Sequence, residues 1–170
     1  RNMLSFLFWN VAKSDQRYLL GKAASERDID ILLLAECQVP DSDIAEALWA
    51  ATGHDYASIS RDEDKIRVFS RLPAGAWTRR YAEWYRARMN VWSLAAGPHP
   101  GIILAAAHLV SKYNASSTDQ ALLAVEVAKE ISLAEDTVGH ERTVFVGDLN
   151  MNPFEAGLTG TTALHAVMTK

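Results

Sequence analysis

Five polar residues stand where hydrophobic runs give out. Asn10 closes "LSFLFWNV" (4–11), Glu36 closes "DIDILLLAE" (28–36), His108 closes "IILAAAHL" (102–109), and Asp148 closes "RTVFVGD" (142–148) with Asn150 two residues on. An isolated charge beside a core strand is costly, so such groups need partners or a metal ion. If neighbouring strands bring their ends together, these side chains line one pocket. One or two carboxylates would then face a hard divalent cation, and two amides and an imidazole would supply hydrogen bonds. Few oxygen ligands, completed by water and a substrate phosphate, suit magnesium. Each residue also has a plain structural explanation. Asn10 could cap the turn after its strand. Glu36 could pair with a surface arginine. His108 could be a satisfied core histidine. Asp148 and Asn150 could form an Asx turn ahead of Pro153. Taken together, these explanations require five coincidences at strand ends.

The elements that must position these residues follow from periodicity. The apolar runs at 4–11 and 28–36 read as strands, the second covered on both faces. Residues 16–27 and 40–53 read as helices, the latter opening on Pro40 with Ser/Asp cap candidates and stopping at Gly53. The middle of the chain changes to short β-like runs at 55–60, 65–71, 76–80 and 84–95. "GPHPG" (97–101) is a tight turn that pairs 84–95 with 102–109 as an antiparallel hairpin. Residues 116–136 form the longest helix, with Ser117 and Gln120 as its capping box and Leu123, Val127, Ile131 and Ala134 along one face. Strand–helix repeats at both ends, with hairpins between them, fit two sheets packed face to face with helices outside better than one doubly wound sheet. No linker-like stretch divides the 170 residues, so one domain spanning 1–170 is expected.

Composition narrows the function. Hydrophobic residues make up 49% and charged residues 22%, which is ordinary for a globular chain. Cys37 is the single cysteine, so a disulfide framework and a cysteine-based zinc site are excluded, and a reducing, cytoplasmic setting is favoured. No apolar run is long enough to span a bilayer. The net charge of −4 argues against a protein that coats nucleic acid. Residues 61–90 nevertheless carry eight Lys/Arg against four acids, interleaved with Trp77, Tyr81, Trp84 and Tyr85. That mixture can hold phosphates and bases, or it can be the solvent face of strands. Within it, Arg71 and Arg88 are candidates for binding substrate. Neither GxGxxG nor GxxxxGK[ST] occurs, which disfavours a nucleotide-binding domain.

"FWNV" (8–11), "DILLLAE" (30–36), "FSRLP" (69–73), "AHLVS" (107–111) and "VGDLNMNPF" (146–154), in this order and spacing, resemble the endonuclease/exonuclease/phosphatase superfamily, the deoxyribonuclease-I-like proteins. The resemblance implies a four-layer α/β/β/α sandwich of two mixed sheets flanked by helices. It implies hydrolysis of a phosphoester with Mg2+ or Mn2+, and the basic middle segment turns the expectation towards a phosphodiester in nucleic acid. By the same resemblance Glu36 is a metal ligand with Asn10 beside it, and His108 binds the scissile phosphate. Asp148 orients or deprotonates the attacking water, Asn150 stabilises the phosphate, and Gly147 leaves room for it. The family pattern continues with a further Asp-bearing strand and a terminal Asp-His pair. Neither has a counterpart before Lys170, and His165 is not given the terminal histidine's role. The chain is expected to correspond to the first two-thirds of the family domain and to expose a sheet edge. A phosphatase or lipid phosphodiesterase of the same family, or a noncatalytic binding module, is the alternative.

Overall fold

A computed structural model describes residues 3–80, 88–96 and 99–166. The first half of the chain builds one sheet and its two covering helices: β1 (Phe6–Asn10), α1 (Arg17–Arg27), β2 (Ile31–Ala35), α2 (Asp41–Thr52), β3 (Ala57–Ser58) and β4 (Ile66–Ser70). The strand order is β1-β2-β4-β3, with β1 parallel to β2 and the other neighbours antiparallel. The second half supplies β5 (Trp77–Arg80), β6 (Met89–Ala96), β7 (His99–His108), α3 (Ser117–Val138), β8 (Thr143–Asp148) and α4 (Ala156–Thr159). Its sheet runs β5-β6-β7-β8, and the only parallel pair among its described strands is β7 with β8. The expected hairpin is the β6–β7 pair. Residues 97 and 98 of the expected turn lie outside the described residues.

Alternation along the strands explains why whole runs are apolar. In β2, Leu32 and Leu34 face α1 and α2 in a cluster with Leu20, Ile44 and Leu48. Ile31, Leu33 and Ala35 face the other way, against Trp92, Leu94, Leu104 and Ala106 of the second sheet. In β7, Leu104 and Ala106 point inward, whereas Ile103, Ala105 and Ala107 pack against Val127 and Ala134 of α3. The layers are therefore helix, sheet, sheet, helix. Each buried leucine of β2 contributes about 1.5–3 kcal/mol through area removed from water.

Helix ends follow local chemistry. Asp41 and Asp43 lie in the first turn of α2, where the helix dipole favours them. Gly53 closes that helix at φ +72°, its N–H bonded to Trp49 O at 2.8 Å. The capping box of α3 sits one residue earlier than expected. Ser116 Oγ accepts the Asp119 N–H, and Asp119 Oδ2 accepts the Ser116 N–H. Ser117 is the first helical residue, and Gln120 is buried at 1% exposure instead of capping.

The basic middle segment is occupied largely by internal pairing. Arg79 makes a bidentate contact with the buried Asp64, bonds Asn90, and lies 5.5 Å over the Trp92 ring. Arg67 pairs with Asp41. Trp77 packs edge-on against Trp92 in the core and offers no stacking platform. Tyr81, Trp84 and Tyr85 lie outside the described residues. Among the described strands, β1 and β8 are edges of their sheets and are half-buried along their whole length. No helix among the described residues is long and apolar enough to cross a membrane.

Candidate active site

The strand ends meet because each sheet contributes one parallel pair. Parallel neighbours put their C-termini side by side: Asn10 registers with Ala35, next to Glu36, and His108 registers with Asp148. Three of these residues also obey the strand alternation. Asn10 follows Phe6 and Phe8, His108 follows Leu104 and Ala106, and Asp148 follows Val144 and Val146, all of which face the other sheet. Each is the next inward position after the apolar packing ends. Glu36 breaks the rule. By alternation it would turn to the helix side, but its φ of +53° kinks the chain after β2. The Lys13 N–H bonds Glu36 O at 3.1 Å and fixes that kink from the β1–α1 loop. Left-handed backbone at a non-glycine residue costs roughly 1–3 kcal/mol, and such strain gathers at functional sites.

Asn10 ties the two sheets together. Its Nδ2 donates to Glu36 Oε1 at 3.2 Å and to Asp148 Oδ2 at 2.9 Å, while its Oδ1 accepts the Ala12 N–H at 2.9 Å. His108 Nε2 lies 3.9 Å from Glu36 Oε1 and is 14% exposed, against 32% for Glu36. The second oxygen of Asp148, Oδ1, accepts the Asn150 N–H at 3.1 Å. Asn150 has a φ of +53° and donates its side-chain Nδ2 to Leu109 O at 3.0 Å. Glu36, His108 and Asn150 line a cleft of about 870 Å³. Lys13, Lys65 and Arg88 border the same cleft, as do Asp62 and Glu63. Lys13 and Lys65 were not singled out in the sequence. They flank the loops after β1 and before β4, and isolated lysines in loops carry no pattern.

The structure thus brings Asn10, Glu36, His108, Asp148 and Asn150 together, with Arg88 at the cleft wall. Arg71, expected to bind substrate, does not join them. It sits just past the end of β4, at the opposite end of β2 from Glu36, roughly 20 Å away along five strand residues and their flanks. There it pairs with Asp30 and Asp28 at 2.6 Å each and bonds Asp30 Oδ1 through Nε at 2.8 Å. Burial pushes the Asp30 carboxyl up, but the Ser5 N–H and hydroxyl and the Arg71 guanidinium outweigh it and hold it below the ordinary carboxylate range.

Gly147 also has another reason to be glycine. It registers with Ala107, and a Cβ there would lie 1.9 Å from Ala107 O. The absent side chain lets β8 approach β7.

No three of His, Cys, Asp and Glu form a metal cage among the described residues. The donor chemistry suits a hard cation held by one carboxylate, water and substrate, which needs no such cage. Asn10, as placed, presents its NH2 to the two carboxylates, and its Oδ1 accepts the Ala12 N–H.

No protein-family model and no curated protein matches the sequence. Solved structures do match in fold. An endonuclease/exonuclease/phosphatase family protein from Leptotrichia buccalis has a TM-score of 0.55 at 13% identity, over 88% of this chain and 67% of that one. TDP2 from Caenorhabditis elegans has a TM-score of 0.55 at 16% identity, over 88% of this chain and 48% of that one. The human Nocturnin catalytic domain has a TM-score of 0.58 at 10% identity, over 94% of this chain and 70% of that one. The chain spans about half to two-thirds of the length of these proteins. Its two mixed sheets flanked by helices are the fold of the endonuclease/exonuclease/phosphatase proteins, as the ordered sequence motifs implied.

Proposed function

We propose that the chain carries the core of a divalent-metal-dependent phosphoesterase, with a phosphodiester of nucleic acid as its substrate. One observation carries the reading: the Asn10 amide clasps Glu36 and Asp148 across the two sheets, with His108 and Asn150 around them. Glu36 would hold Mg2+ or Mn2+, which supplies charge to offset the non-bridging phosphate oxygens. Asp148 accepts one hydrogen bond at each oxygen, so its position is set while lone pairs remain to orient a water molecule and take its proton. His108 Nε2 sits beside Glu36 and can donate to a phosphate oxygen held there. Arg88 bonds His108 O at 3.3 Å through its side chain and accepts the His108 N–H at 2.7 Å, which ties it to the same strand end. Such chemistry depends chiefly on positioning and charge stabilisation.

A second reading, hydrolysis of a small phosphomonoester, is favoured by the pairing of Arg67, Arg71 and Arg79 with acids. That pairing leaves fewer cations for a long polyanion. The test compares hydrolysis of bis(p-nitrophenyl) phosphate, a short DNA and p-nitrophenyl phosphate, with Mg2+, with Mn2+ and with EDTA. Metal-dependent cleavage of the DNA supports the first reading, and turnover of the monoester alone supports the second. Absence of turnover on every substrate leaves the noncatalytic binding module.

A further inference from the structure

The first turns of α3 lie behind the site, and one residue there contradicts the apolar face it occupies. Gln120, Ala124, Val127 and Ala134 are the buried residues of that helix, spaced so that the stripe begins on an amide. At 1% exposure Gln120 is wholly inside. Its Nε2 donates to Val110 O at 3.0 Å and to Asn150 O at 2.9 Å. Val110 follows His108 by two residues, and Asn150 follows Asp148 by two. The amide therefore bridges the loops that leave β7 and β8 immediately beyond the paired site residues. Two carbonyl acceptors dictate its orientation, because only the NH2 end can satisfy both. Its Oε1 has no partner among the described residues, so the side chain is held through this clamp alone. Around it, Asn150 Nδ2 bonds Leu109 O, and Gly157 of α4 packs against Ala121 and Ala124 of α3.

We infer that Gln120 is a positioning residue that sets His108 relative to Asp148 by clamping the two loops that follow them. The inference rests on the phosphoesterase reading of the site. A displacement of about 1 Å among reacting groups can cost about 100-fold, and loss of a supporting hydrogen bond typically costs about 10–100-fold.

The test uses Gln120→Met, which keeps the volume and removes the donors, and Gln120→Glu, which keeps the shape. Two readouts are taken: steady-state kinetics on bis(p-nitrophenyl) phosphate, and amide hydrogen exchange of 109–112 and 149–152. The expected result for Gln120→Met is a 10–100-fold fall in kcat with KM within about twofold, and faster exchange in both loops but not in β6 or β7. For Gln120→Glu, the activity ratio to the parent should rise in part as pH falls, because a protonated carboxyl has one O–H and can satisfy one of the two carbonyls. Faster exchange in both loops with kcat unchanged overturns the positioning role and leaves the phosphoesterase reading intact. Unchanged exchange overturns the clamp itself. If the unaltered chain turns over no phosphoester, the functional reading fails instead, and exchange alone decides whether Gln120 holds the two loops.

Discussion

At the scale of single residues, the site is built by donors that belong to neighbours. Asp148 is held at both oxygens, by Asn10 Nδ2 and by the Asn150 N–H, and Glu36 is held by the same Asn10 amide. Replacing Asp148 with Asn removes a proton acceptor and one of two hydrogen-bonding oxygens. Activity is expected to fall by at least about 100-fold. Stability should change by no more than roughly 1–1.5 kcal/mol, because one bond at the strand end is all that is lost. A thermal melt beside the kinetic assay checks both, and wild-type turnover in this variant would sink the assignment. Replacing Glu36 with Gln keeps an acceptor for Asn10 but halves the charge offered by the pair of carboxylates. The Mg2+ concentration for half-maximal rate is expected to rise at least about tenfold, measured by titration at saturating substrate. An unchanged titration would place the cation elsewhere.

Elements decide which residues can meet, and here the sequence was legible to different depths. The apolar runs ending in Asn10, Glu36, His108 and Asp148 showed both the strands and the polar ends, because the period-2 pattern and the buried leucines are local properties. The kink at Glu36 and the close approach at Gly147 were not visible, since both depend on a neighbouring strand or loop that sequence does not display. Arg71 was misplaced for the same reason. A basic residue after a strand looks alike whichever end of the sandwich it occupies. Its partners now define a structural role. Asp30 and Arg71 are 7% and 16% exposed, so breaking their pair is expected to cost about 2–3 kcal/mol. The Asp30 carboxyl is depressed in the folded state, so the stability it contributes is present above the ordinary carboxylate range, near pH 4, and is lost as pH falls through its lower folded value. Urea midpoints for the parent and for Asp30→Asn should differ at pH 7 and converge below about pH 4. Arg71→Met should likewise lower the midpoint while KM stays unchanged. A raised KM would return Arg71 to the substrate.

For the molecule as a whole, charge would set which phosphoester the proposed site can hold. The chain carries a net −4, yet residues 61–90 are in cationic excess, and that contrast suggested a nucleic-acid surface. Folding pairs Arg67 and Arg71 of that segment with Asp41, Asp28 and Asp30 outside it, and Arg79 with Asp64 within it. At the cleft stand Lys65 and Arg88 of the segment and Lys13 from the loop after β1, with Asp62 and Glu63 beside them. Three cations can neutralise at most about three phosphates. For single-stranded DNA the affinity should then fall with a log–log salt slope no steeper than about −2. The acidic rim flattens it further, and a small phosphomonoester should show almost no slope. Fluorescence anisotropy of a labelled oligonucleotide between 50 and 300 mM salt measures this, with EDTA present to block turnover. A slope steeper than about −4 would require additional cations, and Arg86 and Arg80 of the same basic segment would be the first to neutralise. A shallow slope combined with metal-dependent cleavage would describe an enzyme that recognises one phosphate and its immediate neighbours, and obtains its rate from the strand-end cluster instead of from a long electrostatic track.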